Sequence, residues 1–193
     1  MDETYFKIIF GILWIIYILI RVPFDKRYKI TKKLSSVSFK GDKFMFILLA
    51  AGLVIAPLMW MIIPGFSRFE LHFPLWVRLA GVVISIFSLF YFRYIHKTLG
   101  ANWSPALEIM KDHHLVKTGP YKSVRHPMYM QIWIWTVAQL LIISNMVTGF
   151  AGIIAWAIFY FMRISKEEKM MIEHFGNEYI DYMHETGRIF PKI

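Results

Sequence analysis

The chain has 193 residues, a length suited to one domain. It is 57% hydrophobic with a formal charge of +9 and a mean hydropathy of +0.48, well above an ordinary soluble domain. Its apolar runs are too long, and too free of nucleic-acid motifs, for the basic charge to mark a nucleic-acid binder; with no cysteine, disulfides, a thiolate nucleophile and cysteine-ligated metal are excluded.

Five apolar stretches follow in chain order, at about 5–22, 44–63, 75–92, 128–143 and 147–162. A helix needs roughly 20 residues to cross a ~30 Å hydrocarbon core. The first three stretches meet that length. The last two are shorter and joined by "SNMV" or less, so they read as a tight helical hairpin. The first stretch has an acidic flank, "MDET", and no small-residue cleavage site after it, so it reads as a retained anchor. After the fifth stretch the tail changes character. Met171, Phe175, Tyr179 and Tyr182 recur at helical spacing among acidic residues, which predicts an amphipathic helix along the cytoplasmic end. The expected fold is thus an all-α integral membrane protein of five transmembrane helices with a C-terminal amphipathic helix.

The loops orient it. Residues 21–43 hold eight Lys and Arg against two Asp, and residues 93–127 are again basic, whereas 64–74 carry only Arg68. The positive-inside rule puts the two basic loops and the tail in the cytoplasm and the N-terminus outside.

The unusual polar residues fall on that cytoplasmic side. One cluster is "HHLVKTGPYKSVRHPMY", residues 113–129; the other is "RISKEE", residues 163–168. They flank the hairpin, whose antiparallel course brings them together. Pro127 suits a first helical position, where free amides and the helix dipole favour an anion. Arg125 and His126 either strengthen such an anion site or anchor the helix at the lipid head groups. Arg163 and Glu167 are four apart and share a helix face, as a surface pair or as two ligand contacts. His113, His114 and His126 match no compact metal-ligand pattern, so no metal is expected. Arg78 is expected to snorkel or pair within the bundle, and Gln131 and Gln139 to bond across helices.

Taken together, "LVKTGPYKSVRHPMYMQ" and, one hairpin later, "RISKEEKMMIEHFGNEYIDYMHETGRIFP" resemble the isoprenylcysteine carboxyl methyltransferase family. The family has membrane relatives among the phospholipid N-methyltransferases. The residues that carry the resemblance are Leu115, Val116, Gly119, Tyr121, Arg125, His126, Pro127, Tyr129, Glu167, Glu168, Phe175, Gly176, Glu178, Tyr179 and Pro191. They lie in the C-terminal 80 residues or so, and the size and span number are similar to those of small prokaryotic or archaeal members. The resemblance implies S-adenosylmethionine as methyl donor, S-adenosylhomocysteine as product, and a lipid or prenylated carboxylate as acceptor. It implies a donor pocket lined by His113, Leu115, Val116, Tyr121, His126, Pro127 and Tyr129, with Glu167 contacting the donor and Arg163 holding the acceptor carboxylate. Residues 1–110 would then form a three-helix membrane part and 111–193 the donor-binding part. Glu108, in the unmatched segment "ANWSPALEIMKD", takes no role from the resemblance.

The chemistry suits such residues. An α-carboxylate, with a pKa of about 3.3–3.7, is already ionised near neutral pH and needs no general base. An amine acceptor would first have to lose a proton, to Glu168 or His126. N-methylation of a phospholipid or amine therefore stands as an alternative, beside a non-catalytic lipid-binding protein and a reductase of the sterol-reductase type.

Overall fold

A computed structural model describes residues 2–30, 33–36, 42–104, 108–110 and 114–192. Apart from one two-strand ladder, every regular element among them is helical.

The first helix, α1, runs over Glu3–Ile30. It passes through Pro23 and continues into the basic region that the sequence assigned to a loop. Its successor is a short strand, β1 (Lys33–Ser36), paired antiparallel with β2 (Glu108–Met110). No alternating pattern marked either strand in the sequence. Both are too short to carry one, and each exists because the other supplies its ladder partner.

The second apolar stretch is α2 (Asp42–Ala50), a π-helical turn over Ala51–Ile55, and α3 (Ala56–Ile62). Pro57 explains how the turn is completed. In the π turn the Ala56 N–H donates to the Ala51 carbonyl, one residue further back than in an α-helix. The next donor in that pattern would be residue 57, which as proline has no N–H. The Gly52 carbonyl is left without it and instead accepts from Gln139 Nε2 at 3.2 Å.

The third stretch is α4 (Leu75–Leu99), about two turns longer than the apolar run alone. The hairpin is α5 (Pro127–Ile143) and α6 (Met146–Phe175). Its turn is two residues: Ser144 takes a left-handed conformation (φ 52°), and the Asn145 side chain accepts from the Val147 and Thr148 amides at 3.1 Å. At 30 residues α6 is about 45 Å long, well beyond a hydrocarbon core. Most of the expected tail helix is therefore its continuation. Gly176 (φ 57°) ends it, and only α7 (Asn177–Glu185) is separate. Met171 and Phe175 thus sit on α6, while Tyr179 and Tyr182 are buried on α7.

Four stretches, Glu3–Tyr28, Lys43–Ile62, Leu75–Leu99 and Met146–Phe175, are long and apolar enough to cross a membrane, and α5 is a shorter apolar helix. Ile12, Leu19, Val83, Phe90 and Phe161 point outward, as lipid-facing side chains do. Inside, α4 packs on α5 and α5 on α6, with α1 across α4. One buried cluster joins Phe6, Phe10, Leu13, Trp60, Leu89, Trp135 and Ile142. A second joins Met45, Tyr129, Trp156, Phe159, Tyr160 and Ile164, and it forms the floor of the site described next.

The intramembrane polar residues pair as expected. Gln131 Nε2 donates to Ser88 Oγ at 2.9 Å. Arg78 bonds Glu3 of α1 at 2.6 Å and the Ile142 carbonyl at the end of α5, stitching three helices at one end of the bundle.

Candidate functional site

The other end of the bundle holds the cluster of charged and polar side chains around His126 and Glu167. The segment before α5 is fixed locally first. Gly119, at φ 57°, opens a short turn over Gly119–Lys122, and Pro127 starts α5 at its first position. The C-terminal tail then templates it. The Arg125 N–H donates to the Gly187 carbonyl at 2.8 Å, the His126 N–H to Arg188 at 2.9 Å, and Gly187 returns a bond to Ser123 at 3.1 Å. The Tyr182 hydroxyl of α7 donates to the Tyr121 carbonyl.

This arrangement removes the interfacial-anchor reading of Arg125 and His126, because their side chains are only 9% and 5% exposed. Nor does Arg125 stand open to an anion. It faces Glu168 at 3.2 Å and donates to the carbonyls of Met183 and Thr186. Glu168 is itself buried and is also gripped by Arg188.

His126 lies between two carboxylates. Its Nδ1 is 3.5 Å from Glu167 and its Nε2 is 3.4 Å from Glu168. Burial pushes this imidazole towards the neutral form, but the two carboxylates outweigh it and hold its pKa above the ordinary value. Glu167 further accepts from the Tyr129 hydroxyl and lies 3.8 Å from Arg163 Nε, one helical turn away on α6. The Arg163 guanidinium sits over the Phe159 ring at 5.1 Å. Burial, aided by the charge of Glu167, pushes the Tyr121 hydroxyl well up, so it stays neutral.

These groups meet in one cavity of about 230 Å³. Leu115, Val116, Tyr121, His126 and Tyr129 line it on one side, and Arg163 and Glu167 on the other. Pro127 is buried at the start of α5 and does not line it. His113 lies outside the described residues.

Several lining residues carried no motif. His114 enters the wall with Asn102, whose amide lies 3.2 Å from the His114 ring and accepts from its backbone N–H. Trp103, Phe92 of α4, and Tyr17 and Arg21 of α1 close the far side. Arg21 sits over the Trp103 ring at 5.3 Å and bonds Asp25 at 3.2 Å. In the sequence it falls in the basic loop expected over residues 21–43, with no signal that it lines a cavity.

Chemically, the cavity offers one carboxylate, an arginine, an imidazole, several aromatic faces and an apolar floor. That set fits a cationic ligand with a flat aromatic part beside an anionic, partly apolar one.

Residues 80–173 match the isoprenylcysteine carboxyl methyltransferase (ICMT) family. Among curated proteins, the chain is 32% identical over 138 residues to the protein-S-isoprenylcysteine O-methyltransferase of Dictyostelium discoideum, covering 69% of this chain and 55% of that one. With the enzyme of the same name from Saccharomyces cerevisiae it shares 37% identity over 98 residues, 50% of this chain and 41% of that one. The chain thus spans about half the length of these relatives. Among solved structures it is similar to the eukaryotic intramembrane Ras methyltransferase ICMT, with a TM-score of 0.58 at 25% identity, over 80% of this chain and 55% of that one. The apolar helices and this kinship together mark an integral membrane protein.

Proposed function

We propose that this chain, related through residues 80–173 to the ICMT family, transfers a methyl group from S-adenosylmethionine to the carboxylate of a lipid-linked, isoprenylcysteine-like acceptor. The observation that carries the reading is the convergence, in one cavity, of Arg163 and Glu167 on one face of α6 with His126 and Tyr129 at the start of α5.

The residues fit the donor. Glu167 would meet its cationic amino-acid end, the neutral Tyr121 and the Tyr129 ring would offer aromatic faces to positive charge, and Leu115 and Val116 would flank its nucleoside. A donor contact from His113 rests on the resemblance alone, and Pro127 would act through the helix it starts. When bound, the donor supplies an electrophilic methyl group on a sulfonium.

The protein's part is alignment. Arg163 would hold the acceptor carboxylate through its planar fork. An ionised carboxylate needs no base, so orientation supplies the rate, up to roughly 7–11 kcal/mol of the barrier. The aromatic and apolar floor formed by Trp156, Phe159 and Ile132 suits an acceptor that is dissolved in the bilayer up to its polar end.

For the whole chain we infer five membrane spans, counting the 17-residue α5. The N-terminus would be outside, α7 would lie at the cytoplasmic face, and residues 111–193 would carry most donor contacts. A polar donor would then reach the site from the cytosol and the acceptor from the lipid.

Calorimetry with S-adenosylhomocysteine and with a nicotinamide cofactor tests the donor. Binding of the second alone would leave the reductase reading, and binding of neither the lipid-binding one. Transfer of labelled methyl to N-acetyl-S-farnesylcysteine, and not to phosphatidylethanolamine, is the expected acceptor result. Label only in the amine lipid would overturn carboxylate methylation in favour of N-methylation.

A further inference from the structure

Glu168 is buried, charged and outside the cavity wall, yet three side chains near the site converge on it. Arg125 of the turn before α5 and Arg188 of the tail both pair with it. Its third neighbour is His126 Nε2, at 3.4 Å. The other imidazole nitrogen faces Glu167 at 3.5 Å. A neutral imidazole has one N–H and can serve one acceptor; only the imidazolium can donate from both nitrogens.

We propose that Glu168 is a positioning residue, which holds His126 as an imidazolium so that its second N–H is always presented to Glu167, the carboxylate in the cavity wall.

The surroundings make the role specific. His126 is faced by Glu167 and Glu168 of α6 and by the Tyr129 ring of α5 at 5.4 Å; the same two carboxylates are reached by Arg163 of α6, Arg125 of its own segment, Tyr179 of α7 and Arg188 of the tail. Three of these are arginines and two are carboxylates. Without Glu168 the buried imidazole would keep one carboxylate of its two, Arg125 and Arg188 would lose the carboxylate that neutralises them beside it, and it would give up its proton. Glu167 would then lose a donor and turn towards Arg163, which the acceptor carboxylate needs. Arg188 sets the strength of the device, because it draws on the same Glu168 carboxylate from the exposed side. Placing this carboxylate under the tail's control gives residues 186–190 a share in the site, although they line none of it.

The effect on Glu167 rests on the proposed donor site; the charge of His126 does not. The test therefore begins without ligand. The full chain, labelled with ¹³C- and ¹⁵N-histidine, is titrated in nanodiscs, and the His126 signal among the seven histidines is identified by its loss in His126→Asn. In the wild type His126 should remain doubly protonated at pH 7. In Glu168→Gln its midpoint should fall by at least one pH unit. In Arg188→Gln, a milder change at a half-exposed residue, the midpoint should rise, because Glu168 is less neutralised. An unmoved midpoint in Glu168→Gln, or a fall in Arg188→Gln, overturns the proposal. If Glu168→Gln does not fold, the direction of the Arg188→Gln shift decides alone.

Binding of S-adenosylhomocysteine is the second readout. Glu168→Gln should weaken it about tenfold at pH 8 and restore it near pH 6, where His126 is protonated again. Equal loss at both values would reduce Glu168 to a structural part and overturn the positioning role. If the wild type fails to bind while the histidine shifts appear as stated, the donor assignment is at fault and the charge device stands.

Discussion

At the residue scale the site turns on how Glu167 is held. Tyr129, His126 and Arg163 all address its two oxygens, so its carboxylate has a fixed direction before any ligand arrives. Arg163→Lys keeps the charge but loses the planar fork, and kcat on a farnesylated acceptor should fall on the order of 100-fold with donor affinity retained. Glu167→Gln should instead weaken S-adenosylhomocysteine binding by about 10- to 100-fold, the range for hydrogen bonds to a charged group. Calorimetry and single-turnover kinetics on the two variants separate these effects. His126 adds a pH dependence whose sign follows from its raised pKa. Its contribution to stability is fully present below the unfolded value of about 6.5 and is lost as pH rises through the folded one. Thermal unfolding followed from about pH 6 to pH 9 should show a drop in the wild type that is smaller in His126→Asn.

At the scale of elements, the π turn in the second apolar stretch departs from the α-helical pattern and depends on a neighbour. Gln139 supplies the donor that Pro57 cannot, and it comes from α5, 87 residues away in sequence. Gly152 on α6 makes room for it, since a Cβ there would lie 2.7 Å from Gln139 Nε2. Gln139→Leu should cost roughly 1–2 kcal/mol, at the upper end for hydrogen bonds between membrane helices. Gly152→Ala should cost a similar amount by displacing the same amide. The double variant should cost less than the sum of the two, because both remove one bond. Denaturant unfolding in mild detergent measures all three.

At the scale of the molecule, the two polar ends of the bundle do different work. At one end Arg78 ties α1, α4 and α5 together through Glu3 and the Ile142 carbonyl. At the other, the segment before α5, the far end of α6, α7 and the tail converge on Glu168 and the cavity. If the proposed orientation holds, Lys122→Cys and Lys169→Cys should be labelled by an impermeant thiol reagent only from the cytoplasmic side, and Met146→Cys only from outside. The chain has no cysteine of its own to confuse the result. The reverse pattern would sink the orientation and, with it, the route of the polar donor.

Composition and apolar run length were enough to foresee a helical membrane protein, because a bilayer admits few ways to satisfy a backbone. The hairpin was legible as well, since the chain between its two apolar runs is too short for anything else. So was the meeting of the Arg-His-Pro step with Arg163 and Glu167, which an antiparallel hairpin compels. The Tyr17, Arg21 and Trp103 side of the cavity was not legible, because its members are spread over α1 and the segment just after α4 with no periodic signal. The same holds for Arg125, whose buried partner Glu168 lies 43 residues away. Local sequence determines which residues can make a helix or a turn, but the charge of His126 and the direction of Glu167 depend on groups that only the folded chain brings within a few ångströms.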